Sequence, residues 1–239
     1  MKKIFLSFMV VTLFSTVLFS QSTFNDPNAE KRTVSGFHGI EISTGIELIL
    51  SEGNMEEIAV SAATPEFRDK IITQVENGIL KIHYISKTKS INKTKETKNL
   101  KAYVSYQKLD LLNVSTGADV KIQGILKSSS LDLDASTGAL VKGEVDITSL
   151  KISQHTGSKI TLTGKVEKLD VTGNTGSKFR GEDMITSVCN VSVSTGAIVT
   201  VNANNELQVK TNTGGKVHYK GNPSVKEIKN TTGGTVHKI

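Results

Sequence analysis

Lys121, Lys142, Arg180, His218 and His237 each stand four residues after the glycine of a Thr-Gly pair. Basic side chains at one recurring place can hold anions, provided that the fold brings them onto one face. Lys159, Lys178 and Lys216, two residues after the same glycines, extend the set toward a neighbouring direction. Acidic glycans or lipopolysaccharide phosphates are ligands that such a row can engage; plain surface solubility is the alternative. Cleavage of polysaccharide needs clustered carboxylates. Asp132, Asp134 and Asp170 could be outward neighbours, with Lys151 between Asp132 and Asp170 in one column. Those columns continue as Asn190, Gln208 and Glu227, without inserted loops to build a groove, so a solvated sheet face accounts for them. Cys189 shares its column with Leu131, Leu150, Leu169 and Leu207, which marks a core thiol rather than a nucleophile. The five histidines are scattered, no His-x-x-x-His or Cys-x-x-Cys is present, and the Gly-x-Ser-x-Gly elbow is missing. The sequence therefore assigns no catalytic, metal or cofactor-binding residue and implies no cofactor.

Whether the basic row is real depends on the repeat that carries it. Thr-Gly occurs at Thr44-Gly45 and then at Thr116-Gly117, Thr137-Gly138, Thr156-Gly157, Thr175-Gly176, Thr195-Gly196, Thr213-Gly214 and Thr232-Gly233. From Gly117 the glycines are 21, 19, 19, 20, 18 and 19 residues apart. Five residues before them stand Leu112, Leu133, Ile152, Val171, Val191, Val209 and Ile228. Three residues after them stand Val120, Val141, Ile160, Phe179, Val199, Val217 and Val236. The residue just after the glycine is always Ala, Ser or Gly. Polar residues alternate with the apolar columns, the period of strands with one buried face.

A repeat this short has no room for a helix and a strand. Two architectures fit: an up-and-down sheet of hairpins, or an all-β solenoid whose coils stack about 4.8 Å apart. A hairpin turn asks for two left-handed residues, for which Thr before Gly is poorly suited, and it leaves the small residue unexplained. Stacking puts Gly at a positive-φ corner, the small residue in the inner bend and Thr in a hydrogen-bonded ladder. The solenoid is preferred. Parity with the apolar columns points the threonines inward, which argues against an ice-binding threonine face.

The chain of 239 residues opens MKKIFLSFMVVTLFSTVLFSQ, a secretory leader over 1–20 with cleavage before Gln21. Without Lys2 and Lys3 the basic residues fall from 29 to 27 against 23 acidic, a mild net +4 that does not argue for nucleic acid. No later stretch is apolar enough to span a bilayer. Residues 21–33 read as a loose lead-in, 34–108 as strands that cap the first coil, and 109–239 as the repeat. Within the cap, TPEFRDKIITQV begins with a helix-start signal at Thr64 and Pro65, and the lysine-rich SKTKSINKTKETKN is an exposed loop. At the far end Lys226, Lys229 and Lys238 discourage edge pairing.

The stretches FHGIEISTGIELILSEG, EEIAVSA and ITQVENGILKIHY, then repeated STGA units ending in KGNPSVKEIKNTTGGTVHKI, resemble the GIN-domain family. These are exported proteins, mostly of Bacteroidota, labelled auto-transporter adhesin heads. The resemblance spans nearly the whole mature chain and implies a β-helix-like fold and an extracytoplasmic place, but no reaction. The family usually writes its corner Ser-Gly-Ser-Gly-Asp; here it is mostly Ser-Thr-Gly-Ala, and only Asp119 keeps the acidic position. Together these readings point to an exported, non-enzymatic, adhesin-like solenoid whose partners are glycans or envelope proteins. A polysaccharide-active lyase or hydrolase on the same fold is the alternative.

Overall fold

A computed structural model describes residues 26–85 and 97–239. The leader and most of the lysine-rich stretch lie outside the described residues. The first part of the chain forms β1 (Glu30–Arg32), β2 (Gly39–Ile42), β3 (Glu47–Glu52), β4 (Glu57–Ser61), α1 (Pro65–Arg68), β5 (Ile71–Glu76), β6 (Ile79–Tyr84) and β7 (Lys101–Tyr106). The repeat forms β8 (Leu111–Val114), β9 (Asp119–Ala135), β10 (Leu140–Gln154), β11 (Lys159–Gly173), β12 (Lys178–Val193), β13 (Ile198–Thr211), β14 (Lys216–Lys220), β15 (Val225–Asn230) and β16 (Thr235–Lys238).

Each strand from β9 to β13 travels from one Thr-Gly corner to the next and pairs in parallel with the coil above it. Val141 lies beside Ile160, and Ile152 beside Val171, so equivalent side chains stack. The result is a β-solenoid of about seven turns. Both apolar columns are buried through the stack, and only at the last coil are Ile228 and Val236 partly uncovered. Full burial of each such side chain is worth about 1.5–3 kcal/mol, and a coil reaches it only between neighbours.

The isolated pair Thr44-Gly45 is a rung of the same ladder. β2 pairs with β8 and β3 with β9, and the Gly45 N–H donates to the Thr116 carbonyl at 3.0 Å. Beyond it, β6 and β7 add parallel strands to β2 and β3; antiparallel β5, β4 and β1 then close this end. The start signal read at Thr64 produces only one helical turn, with Thr64 Oγ1 accepting from the Phe67 N–H at 3.3 Å. β5 begins at Ile71, where β-branched residues match a pleated surface better than a helix.

The corner differs from the sequence reading in two ways. Threonine as well as glycine is left-handed at every corner: Thr116 has φ 51° and Gly117 φ 71°, Thr156 φ 47° and Gly157 φ 70°. With the Ala118 N–H donating to the Ser115 carbonyl at 3.1 Å, this is the two-residue turn usually found in hairpins. Here the strands on either side do not pair with each other. From Gly45 to Gly214 the stack supports β-branched threonine in this conformation, because each of these glycine N–H groups donates to the threonine carbonyl of the next coil, as Gly138 does to Thr156 at 3.0 Å. The ladder therefore runs through backbone, and the threonine side chains from Thr116 to Thr232 are exposed, not inward. The small residue behaves as expected. Ala118, Ala139, Ser158, Ser177 and Ala197 are buried beneath the corner, and a Cβ on Gly215 would sit 2.6 Å from the Val193 carbonyl oxygen.

Differences in coil length are absorbed away from the corner. Pairing of β9 with β10 jumps from Lys121–Lys142 to Ile125–Glu144, and β12 with β13 from Gly181–Val201 to Ile185–Asn202. The bulges fall after the basic column, so the register that lines up the candidate residues is untouched.

Candidate anion-binding face

The strand segment just after each corner is extended, so residues two and four beyond the glycine point to the same outer face while the one between them is buried. Parallel register stacks Lys121 on Lys142, then Thr161, Arg180, Thr200, His218 and His237. The second column stacks Asp119, Leu140, Lys159, Lys178, Ile198, Lys216 and Thr235. The two columns share one face rather than diverging, which corrects the direction given to Lys159, Lys178 and Lys216.

Electrostatically the row divides. Lys121 is taken up by Glu47, whose hydrogen bond holds its pKa above the ordinary lysine value. From Leu140 to His237 the two columns contain no carboxylate. Lys142, Lys159, Lys178, Arg180 and Lys216 form no ion pair among the described residues. At the far end the His218 and His237 rings stack with centroids 6.0 Å apart and planes 22° apart.

The segment before each corner carries the other outer face, and most of its charges are paired, Lys210 being an exception among the described residues. Lys151 Nζ lies 2.8 Å from Asp132 Oδ2, which raises the lysine pKa through that hydrogen bond first and the Asp132 charge second. Asn190 Nδ2 donates to Asp170 Oδ1 at 2.6 Å, Lys168 lies 3.7 Å from Asp170, and Lys229 lies 2.7 Å from Glu227. Asp134 faces His155 at 4.0 Å. Asp132, Asp134 and Asp170 thus do not converge on a common point. An open depression of about 350 Å³ on this face is lined by Asp170, Thr172, Asn190, Ser192, Gln208 and Lys210.

Cys189 is fully buried in its leucine column, and burial, with a smaller contribution from Asp170, pushes its thiol up to about 12. Among the described residues no three His, Cys, Asp or Glu side chains are grouped to share a metal ion. No helix among them is long and apolar enough to cross a membrane.

Several solved structures have the same fold. A putative adhesin from Bacteroides fragilis superposes with a TM-score of 0.79 at 17% identity, covering 88% of this chain and 96% of that one. A putative lipid-binding protein from Parabacteroides distasonis gives 0.66 at 18% identity, over 90% and 98% of the two chains. A putative adhesin from Parabacteroides merdae gives 0.65 at 16%, over 88% and 95%. Among curated proteins there is no match. Residues 36–223 match the family model described as "Putative auto-transporter adhesin, head GIN domain", and the chain belongs to that family.

Proposed function

We propose that this protein is an exported, non-catalytic, adhesin-like module that grips acidic polysaccharide through the basic face of its solenoid. The observation that carries the reading is the run of unpaired cations from Lys142 to Lys216, with no carboxylate in either column. These cations span four rung spacings of about 4.8 Å, an extended row suited to a polymer rather than to a small molecule. A linear polyanion meeting several of them at once gains affinity from many weak contacts. The secretory leader read in residues 1–20 and the family's adhesin label support this reading, since acidic polysaccharide is met outside the cytoplasm. Catalysis has no comparable support, since Asp132 and Asp170 are each held by a neighbouring lysine or amide.

The test is retention on immobilised polygalacturonate against neutral dextran across a salt series. The expected result is binding to the acidic polymer that weakens with salt, and a loss of at least about 10-fold in affinity for Lys159→Glu/Lys178→Glu/Arg180→Glu. Equal binding of that variant, equal binding to dextran, or binding only to anionic phospholipid vesicles overturns the proposal.

A further inference from the structure

The two ends of the solenoid are finished by different means. At the first end, added strands cover the stack. At the last coil, β15 and β16 pair on one side only, with β13 and β14, and no described element lies beyond them. An open parallel edge of this kind is a template for a second copy.

The inward columns change character there. The column Leu131, Leu150, Leu169, Cys189, Leu207 ends in Lys226, which register places beside Leu207. On the opposite sheet Val201 is followed by Tyr219 and then by Lys238. A third inward position passes from buried Thr211 to Asn230, whose Oδ1 accepts from Thr211 Oγ1 at 3.0 Å. Lys226 folds over the buried Tyr219, its Nζ 3.3 Å from the phenol oxygen and 5.7 Å from the ring centroid. Lys238 Nζ reaches Asn222 Oδ1 at 3.3 Å. Both lysines are exposed, and neither forms an ion pair among the described residues. Ile228 and Val236 remain as the apolar part of the end.

We infer that Lys226 and Lys238 are an end-stop that keeps the C-terminal coil from stacking on a second copy of the chain. Their stems cover the last apolar layer while their ammonium groups stay in water. A second copy would trap four such groups between two layers with no carboxylate on the inward side to meet them, and like charges would face one another. Lys229 points outward and pairs with Glu227, so it takes no part, which narrows the three lysines singled out in the sequence to two.

Sedimentation of the purified chain tests this. The wild-type protein is expected as a monomer. Lys226→Met/Lys238→Met keeps the stems, removes the charges and is expected to double the mass, whereas Lys226→Arg/Lys238→Arg stays monomeric. Adding Glu227→Cys to the methionine variant is expected to give disulfide-linked dimers, which reports contact at this end. A dimeric wild type, a folded but monomeric methionine variant, or a dimer without the cross-link overturns the inference. Should the methionine variant lose its strand circular dichroism, Lys226→Gln/Lys238→Gln takes its place, and a folded, monomeric glutamine variant overturns it equally.

Discussion

Ile160 and Ile152 are both fully buried in one coil, Ile160 behind the basic face and Ile152 behind the paired face. Inside the solenoid the two faces cannot be told apart. Outside, one leaves its cations from Lys142 to Lys216 without ion pairs, while the other closes most of its charges on a neighbour one coil or two residues away. The difference shows how a repeat protein can divide labour: inward positions are held apolar by the stack, and the outer positions are free to diverge.

The largest effect expected from testing this contrast lies in the shared core. Ile160→Ala and Ile152→Ala should each cost about 2–5 kcal/mol in denaturant unfolding. A near-neutral result on one side would mean that the faces do not share a core. At the joint between them, Thr156→Asn should stabilise by roughly 0.5–1 kcal/mol, because asparagine tolerates the left-handed conformation better than a β-branched residue. A lower thermal midpoint would show that the exposed threonine makes a contribution of its own.

On the paired face, Lys151→Ala should change stability by less than about 1 kcal/mol and leave polysaccharide binding unaltered. Loss of binding there would break the distinction between the faces. The smallest effect concerns the first end of the basic face, where the Tyr103 hydroxyl donates to Asp26 Oδ2 at 2.7 Å. Burial, followed by that bond to Asp26, pushes Tyr103 up to about 12. Burial raises Asp26, but its bonds from Tyr103, the Asn28 N–H and Ser61, together with the charge of Lys101, outweigh it and leave the carboxyl lowered. A raised tyrosine stabilises fully below its unfolded value near 10 and loses that contribution as pH climbs to about 12; a lowered carboxyl stabilises above its unfolded value near 4 and loses it in acid. Thermal unfolding of Tyr103→Phe should therefore lose part of both flanks of the wild-type pH profile, and an unchanged profile would discard the clamp.

Much of this arrangement was legible because extended backbone alternates strictly. The apolar columns and the buried Cys189 followed from counting residues from each glycine. The same counting failed at the corner, where two left-handed residues interrupt the alternation and turn threonine outward although its parity with Ile152 or Val171 points inward. It also could not foresee Gln154, a polar residue in an inward column. That side chain is buried beside Gly173, which leaves the column open above it, and its Nε2 donates to the Lys178 carbonyl at 3.2 Å. The shared direction of Lys159 and Lys142 was readable from strand geometry, since residues two apart lie on one side. What no count supplies is pairing: whether a lysine is free or engaged depends on the coil next to it, as Lys121 and Glu47 demonstrate.

The corner-to-corner strand has a consequence for length. Gly138 and Gly157 lie 19 residues apart and occupy equivalent points of adjoining turns. Removing residues 139–157 would bring Ser158 directly after Gly138, shorten the rod by one storey of about 4.8 Å and leave every remaining layer above a matching one. A deletion one residue longer, 139–158, would instead set Lys159 in the buried bend and turn the strand after it to the wrong side, so cooperative unfolding of the first deletion and collapse of the second would reveal the molecule as a column assembled from interchangeable floors.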